Sequence, residues 1–139
     1  MTANIKSFVL VLIYSFILIF TPRIFDILEN DSMGYVEFHN IRTSIYPTLI
    51  EILLYVNNSY DVLIYFNIVL FLSCLYIFLK TSFEKNINNF VILSLYLSLI
   101  FNIYFNGFHF TILTESISFS LCLIFLTFLI KLIRDFNNK

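Results

Sequence analysis

The sequence predicts an all-α membrane protein of about four transmembrane helices plus an outer juxtamembrane helix, and three observations carry that reading. The 139-residue chain is 60% hydrophobic and 12% charged, with a mean hydropathy of +0.90; a soluble domain holds about 45–50% apolar and about 25% charged residues. Apolar runs near the ~20 residues needed to cross a bilayer core recur along the whole chain. Most of the Lys and Arg fall at one set of run ends. Two Gly and two Pro leave no flexible linker, so residues 1–139 read as a single transmembrane unit, and the same composition excludes disorder.

The expected spans cover about residues 5–20, 62–79, 90–105 and 117–133. The first follows Lys6 and stops at Thr21-Pro22-Arg23. No small-x-small cleavage site comes after it, so it reads as an anchor rather than a signal peptide. Residues 21–61 form an outer loop. Within it, Tyr46 to Val56 is apolar but short and interrupted by Glu51, as in helices that lie on a membrane. Pro47 suits its first turn, and Leu49, Ile52, Leu53 and Val56 are expected to share its apolar face.

Charge sets the orientation, because Lys and Arg near span ends stay on the cytoplasmic side. With the N-terminus inside, Lys6, Lys80, Lys85, Lys131, Arg134 and Lys139 are cytoplasmic, and only Arg23 and Arg42 face out. Most carboxylates do the reverse: Asp26, Glu29, Asp31, Glu37, Glu51, Asp61 and Glu115 fall outside. Both termini are therefore predicted cytoplasmic, and the outer face carries the chemistry. A net charge of −1 with scattered cations argues against nucleic acid as a partner. Cys74 and Cys122 lie in apolar runs without CxxC spacing, so neither a disulfide framework nor a zinc site is signalled.

Ser94, Ser98, Asn102 and Asn106 recur every four residues and are expected to form one inward-facing polar stripe on the third span. Such a stripe packs helices together or lines a path for a solute. No span carries a charge at its centre, which argues against a coupled transporter.

In the outer loop Asp26, Glu29, Asp31 and Glu37 cluster beside the membrane, followed by His39, Arg42 and Tyr46. Crowded carboxylates repel one another and rise from about pH 4 toward the range of a general base. The same residues also read as a solvated acidic loop.

The wording of this loop is more specific than its composition. Asp31-Ser32-Met33-Gly34-Tyr35, then Arg42-Thr43-Ser44-Ile45-Tyr46-Pro47 leading into an apolar helix, resembles the first outer loop of the GT-C glycosyltransferases. Leu113-Thr114-Glu115 resembles the Leu-Thr-Glu element that opens a later span in those families. The likeness covers only the N-terminal part of the family, which has many more spans.

The resemblance implies transfer of a sugar from a polyprenyl-phosphate donor to a glycan or lipid acceptor on the outer face of a bacterial inner (plasma) membrane. Asp31 would be the catalytic base. Arg42 would contact the phosphate through its planar fork, Tyr35 and Tyr46 would contact the sugar, and Glu115 would assist in substrate binding. Each has a second reading. Arg42 can pair with Glu37 or Asp31, the tyrosines can sit at headgroup level, and Glu115 can favour a helix N-terminus. No cofactor is signalled, since Asp31, His39, His109 and Glu115 lack metal-motif spacing. Because the family is longer, the resemblance fits a truncated product, one part of a split enzyme with a second membrane chain, or a small relative. The alternatives are a non-catalytic subunit packed on a larger membrane protein through the polar stripe, or a channel or exporter subunit lined by it.

Overall fold

A computed structural model of the chain describes residues 2–21, 45–56, 59–111 and 114–137. Among these the protein is entirely helical. The elements are α1 (Ala3–Phe20), α2 (Ile45–Val56), α3 (Asp61–Glu84), α4 (Asn89–Phe101), α5 (Ile103–Gly107) with a 3-10 turn at Phe108–Phe110, and α6 (Thr114–Asn137). α1, α3 and α6 are each long and apolar enough to cross a membrane, which marks the chain as an integral membrane protein. α4 and the α5 segment together make a fourth candidate span, bent by 66°.

α3 is the axis of the bundle. It packs most extensively against α6 and next against α1, and its span is 44% buried against 17% for α1 and 22% for α6. Phe71, Leu75 and Leu79 lie on its buried faces, joined by Tyr14 and Leu18 of α1, Tyr96 of α4, Phe105 of α5 and Leu123 of α6. Tyr14 meets Phe71 at 5.5 Å and Tyr96 at 6.3 Å between ring centres. The outward faces remain apolar, with Phe16, Leu121, Phe125 and Phe128 exposed. That is the surface a hydrocarbon solvent requires.

The turn from α3 to α4 is locally encoded. Asn86 takes a positive φ of 52°, a conformation asparagine tolerates better than most residues. Its N–H reaches the Phe83 carbonyl at 3.2 Å and the Ile87 N–H reaches the Ser82 carbonyl at 3.0 Å. This is a Schellman termination, which satisfies carbonyls that the helix end would otherwise leave free. Asn88 then caps α4 by accepting the Phe90 N–H at 2.9 Å.

One expectation is corrected. The third span is not continuous, because the helix stops at Asn102 (φ −87°, ψ 92°) and restarts at Ile103. The Asn102 side chain accepts the Phe105 N–H at 2.9 Å, so it competes with the helical ladder and caps a new helix. Thirteen residues of α4 span only about 20 Å at 1.5 Å per residue, less than the core of about 30 Å. α2 buries Tyr46, Pro47 and Ile50, while Ile52 and Val56 of its expected apolar face are 57% and 75% exposed. Leu49 and Leu53 of the expected face do pack, but against α3 and its surroundings.

Charge separates along the bundle axis. Lys6, Lys80, Lys85, Lys131 and Arg134 gather at one end, where Lys6 lies 5.6 Å over the Phe83 ring and Lys85 pairs with Asp135. The opposite end holds the last turns of α1, all of α2, the first turns of α3 and α6, and α5.

The central position of α3 yields the first test. Phe71→Ala should cost about 3–5 kcal/mol, whereas Val69→Ala on the exposed face of the same helix should cost less than about 0.5 kcal/mol. Reversible unfolding in mixed detergent micelles measures both.

Candidate functional site

The polar side chains buried in the bundle concentrate at the end opposite the cations. Tyr14, Asn67, Asn106, His109, Thr111, Ser116 and Ser120 are all buried. In an apolar medium each needs a partner, and most have one. The Tyr14 hydroxyl donates to Asn106 Oδ1, while Asn106 Nδ2 donates to the Ile100 carbonyl at 3.0 Å. Asn106 therefore ties α1 to both sides of the break in the third span. Farther along, the Tyr96 hydroxyl donates to the Leu10 carbonyl at 2.6 Å, a second link between α1 and α4.

The 3-10 turn brings His109 into the bundle with 0% exposure. Its ring lies 4.3 Å from Phe71 and meets Phe105 edge-on at 5.2 Å. Nδ1 is 2.7 Å from Ser116 Oγ on the first turns of α6. Ser120 one turn on donates to the Ser116 carbonyl at 2.8 Å. Across the turn, Asn67 Nδ2 of α3 donates to the Thr111 carbonyl at 3.4 Å. α3, α6 and the segment between Asn106 and Thr111 are thus joined by polar contacts as well as by rings.

Among the described residues, three buried polar atoms at this end have no hydrogen-bond partner: Asn67 Oδ1, His109 Nε2 and Glu115 Oε2. Among the described residues no group of three or more His, Cys, Asp or Glu side chains is arranged to hold a metal ion.

The sequence-derived site residues divide into two groups. Asp31, Tyr35 and Arg42 lie outside the described residues, as do Asp26, Glu29, Glu37 and His39. Tyr46 and Glu115 are described, and both are at the end opposite the cations. Tyr46 is buried with Ile50 and Leu63, and Phe108 and Ile117 pack on the same cluster. The helix that Tyr46 opens and the helix that Thr114 and Glu115 open are therefore parts of one packed unit.

The expected inward polar stripe is not formed. Ser94, Ser98 and Asn102 are exposed and only Asn106 is buried, because the break at Asn102 takes Asn106 out of line with the others. Ser98 Oγ donates to the Leu95 carbonyl of its own helix at 2.7 Å, and Asn102 caps α5, so neither requires a neighbouring chain. His109, which sequence reasoning did not single out as a site residue, is fully buried at this end.

No protein family, curated protein or solved structure matches this chain.

The His109 and Ser116 contact can be tested directly. Ser116→Ala removes the partner of a buried ring nitrogen and should cost about 1–3 kcal/mol, while Ser118→Ala, an exposed position, should cost less than about 0.5 kcal/mol. The ring nitrogen resonances of His109 should move in the first variant and stay in place in the second.

Proposed function

We propose that this chain forms the N-terminal part of a GT-C type membrane glycosyltransferase. In this reading it helps to transfer a sugar from a polyprenyl-phosphate carrier to a glycan or lipid acceptor at the end of the bundle opposite the cations. By the positive-inside rule that end is the outer one. The observation that carries the reading is the packing of Tyr46 and Ile50 with Phe108 and Ile117. It unites the Arg-x-x-x-Tyr-Pro helix with the helix opened by Thr114 and Glu115, two of the three sequence elements on which the resemblance rests.

The third element, with Asp31 and Tyr35, belongs to residues 22–44, which connect the end of α1 to the start of α2. Both attachment points lie at that same end. Asp31 takes the proton from the acceptor hydroxyl in this scheme. Arg42, three residues before α2 begins at Ile45, meets the departing phosphate, and Tyr35 contacts the sugar. Tyr46, buried with Ile50 and Leu63, anchors α2, the helix that follows Arg42 in the sequence. Glu115, in the first turn of α6, assists substrate binding in this scheme. Because the donor already carries a phosphate leaving group, placement of the two substrates and stabilisation of the phosphate supply most of the catalysis.

A cleft of about 360 Å³ between α1 and the α4–α5 elbow supports a lipid-linked donor. It is walled by Phe16, Phe20, Ile100 and Phe101, with Thr21 and Asn106 as its polar limits. Hydrocarbon suits those walls, and Thr21 leads directly into residues 22–44.

The test is genetic and chemical. In a strain where deleting the gene alters the envelope glycans, Asp31→Asn should reproduce the deletion, with sugar transfer down about 10²–10⁴-fold as for loss of a general base. Mass spectrometry of released glycans reads the outcome. Full restoration of the glycans by Asp31→Asn would remove the assigned base and favour a non-catalytic subunit.

A further inference from the structure

A second apolar cleft lies where α4 and α6 stand apart over α3, beginning at Phe105 and Phe119 beside the polar end and running toward the cationic end. Phe71 of α3, Leu95 and Leu99 of α4, and Phe119, Cys122 and Leu126 of α6 are among the side chains that line its volume of about 160 Å³, and no polar atom lines it. α4 is held to the bundle mainly through Ile92 and Tyr96, which is why the gap stays open. Leu95, Cys122 and Leu126 are exposed, so the cleft opens on the flank of the bundle. In a protein core, a cavity of about 150 Å³ with such a lining stays dry and takes up apolar molecules. Its volume admits a stretch of hydrocarbon chain, whereas a helix with its side chains is about 10–12 Å across.

The cleft has a charged extension. Cys122, Leu126, Ile130 and Arg134 follow one another four residues apart along α6, so they form one row on the helix surface. Arg134 lies about 12 Å beyond Leu126 along that row, at 1.5 Å per residue. Its guanidinium reaches across to the Asn86 carbonyl at 3.4 Å, closing the cationic end between α6 and the α3–α4 turn. Among the described residues Arg134 has no carboxylate partner, since neighbouring Asp135 is paired with Lys85. Lys131 is exposed one turn before it. This end carries Lys6, Lys80, Lys85, Lys131 and Arg134 against Glu84 and Asp135, an excess of positive charge.

We propose that the cleft between α4 and α6 holds one hydrocarbon chain of an anionic phospholipid whose phosphate meets Arg134 and Lys131. The apolar lining selects the chain, the cleft's size excludes a helix, and the cations at its end select the headgroup. Basic pockets between membrane helices bind anionic headgroups by the same balance of forces. The headgroup cations are at the opposite end from the sugar-transfer region, and the proposal stands independently of that reading.

The experiment uses the full chain in vesicles of phosphatidylglycerol and phosphatidylcholine, each with a photoactivatable group in one acyl chain, and maps labelled residues by mass spectrometry. Label should concentrate in residues 95–99 and 119–126, with the glycerol lipid preferred over the choline lipid by up to roughly 30-fold for two cations. Arg134→Gln combined with Lys131→Gln should abolish the preference while leaving the labelled positions unchanged. Equal labelling by both lipids in the unaltered chain would overturn the proposal. So would label as heavy around exposed Phe8 and Phe16 of α1 as in the cleft, or Cys122 crosslinking to a second polypeptide in place of lipid.

Discussion

A bilayer core offers no hydrogen-bond partners, so a helix broken within it must find substitutes for the backbone bonds it gives up. That constraint organises this protein. The break at Asn102 frees N–H groups at the start of α5 and carbonyls at the end of α4. Asn102 satisfies the Phe105 N–H, Asn106 satisfies the Ile100 carbonyl, and Tyr14 in turn satisfies Asn106. Once α1 is committed to that contact, Tyr14 packs on Phe71 and Tyr96, and the aromatic centre of the bundle follows. The break also folds the chain back beside α3, which places His109 against Phe71 and within reach of Ser116.

The two ends of the bundle consequently do different work. At one end a Schellman turn, the Lys85 and Asp135 pair and the Arg134 contact fasten α3, α4 and α6 with exposed cations left over. At the other, buried polar groups and the α2 cluster form a compact platform from which residues 22–44 emerge. Chemistry that needs a carboxylate and a cation beside the membrane is naturally placed on that platform. Lipid binding driven by positive charge belongs to the other end.

Hydropathy alone locates α1, α3 and α6, because a span surrounded by hydrocarbon must be apolar on nearly every face. The segregation of Lys and Arg was legible for a similar reason, since charges cannot rest at mid-depth. Periodicity failed at Asn102: four-residue spacing aligns Ser94 with Asn106 only if the helix continues, and the bend beyond the break is tied to α1 through Tyr14, which donates to Asn106 from 92 residues away. α2 is a different case. It is apolar on most positions, so its buried face is chosen by what α3 and the 3-10 turn present rather than by its own pattern. Of the candidate site, Tyr46 and Glu115 lie at one end of the bundle, the end opposite the cations. The pairing of His109 with Ser116 was illegible, because it depends on how tightly the intervening turn closes.

The central claim is that Tyr14 and Asn106 seal the break in the third span. A double-mutant cycle with Tyr14→Phe and Asn106→Ala, read as unfolding free energy in mixed micelles, measures it most directly. Interhelical hydrogen bonds in membrane proteins are worth about 0.6–2 kcal/mol, and a coupling energy in that range is the predicted result. Additive single-variant costs, with no coupling between the two positions, would contradict the account and leave the break to be held by packing alone.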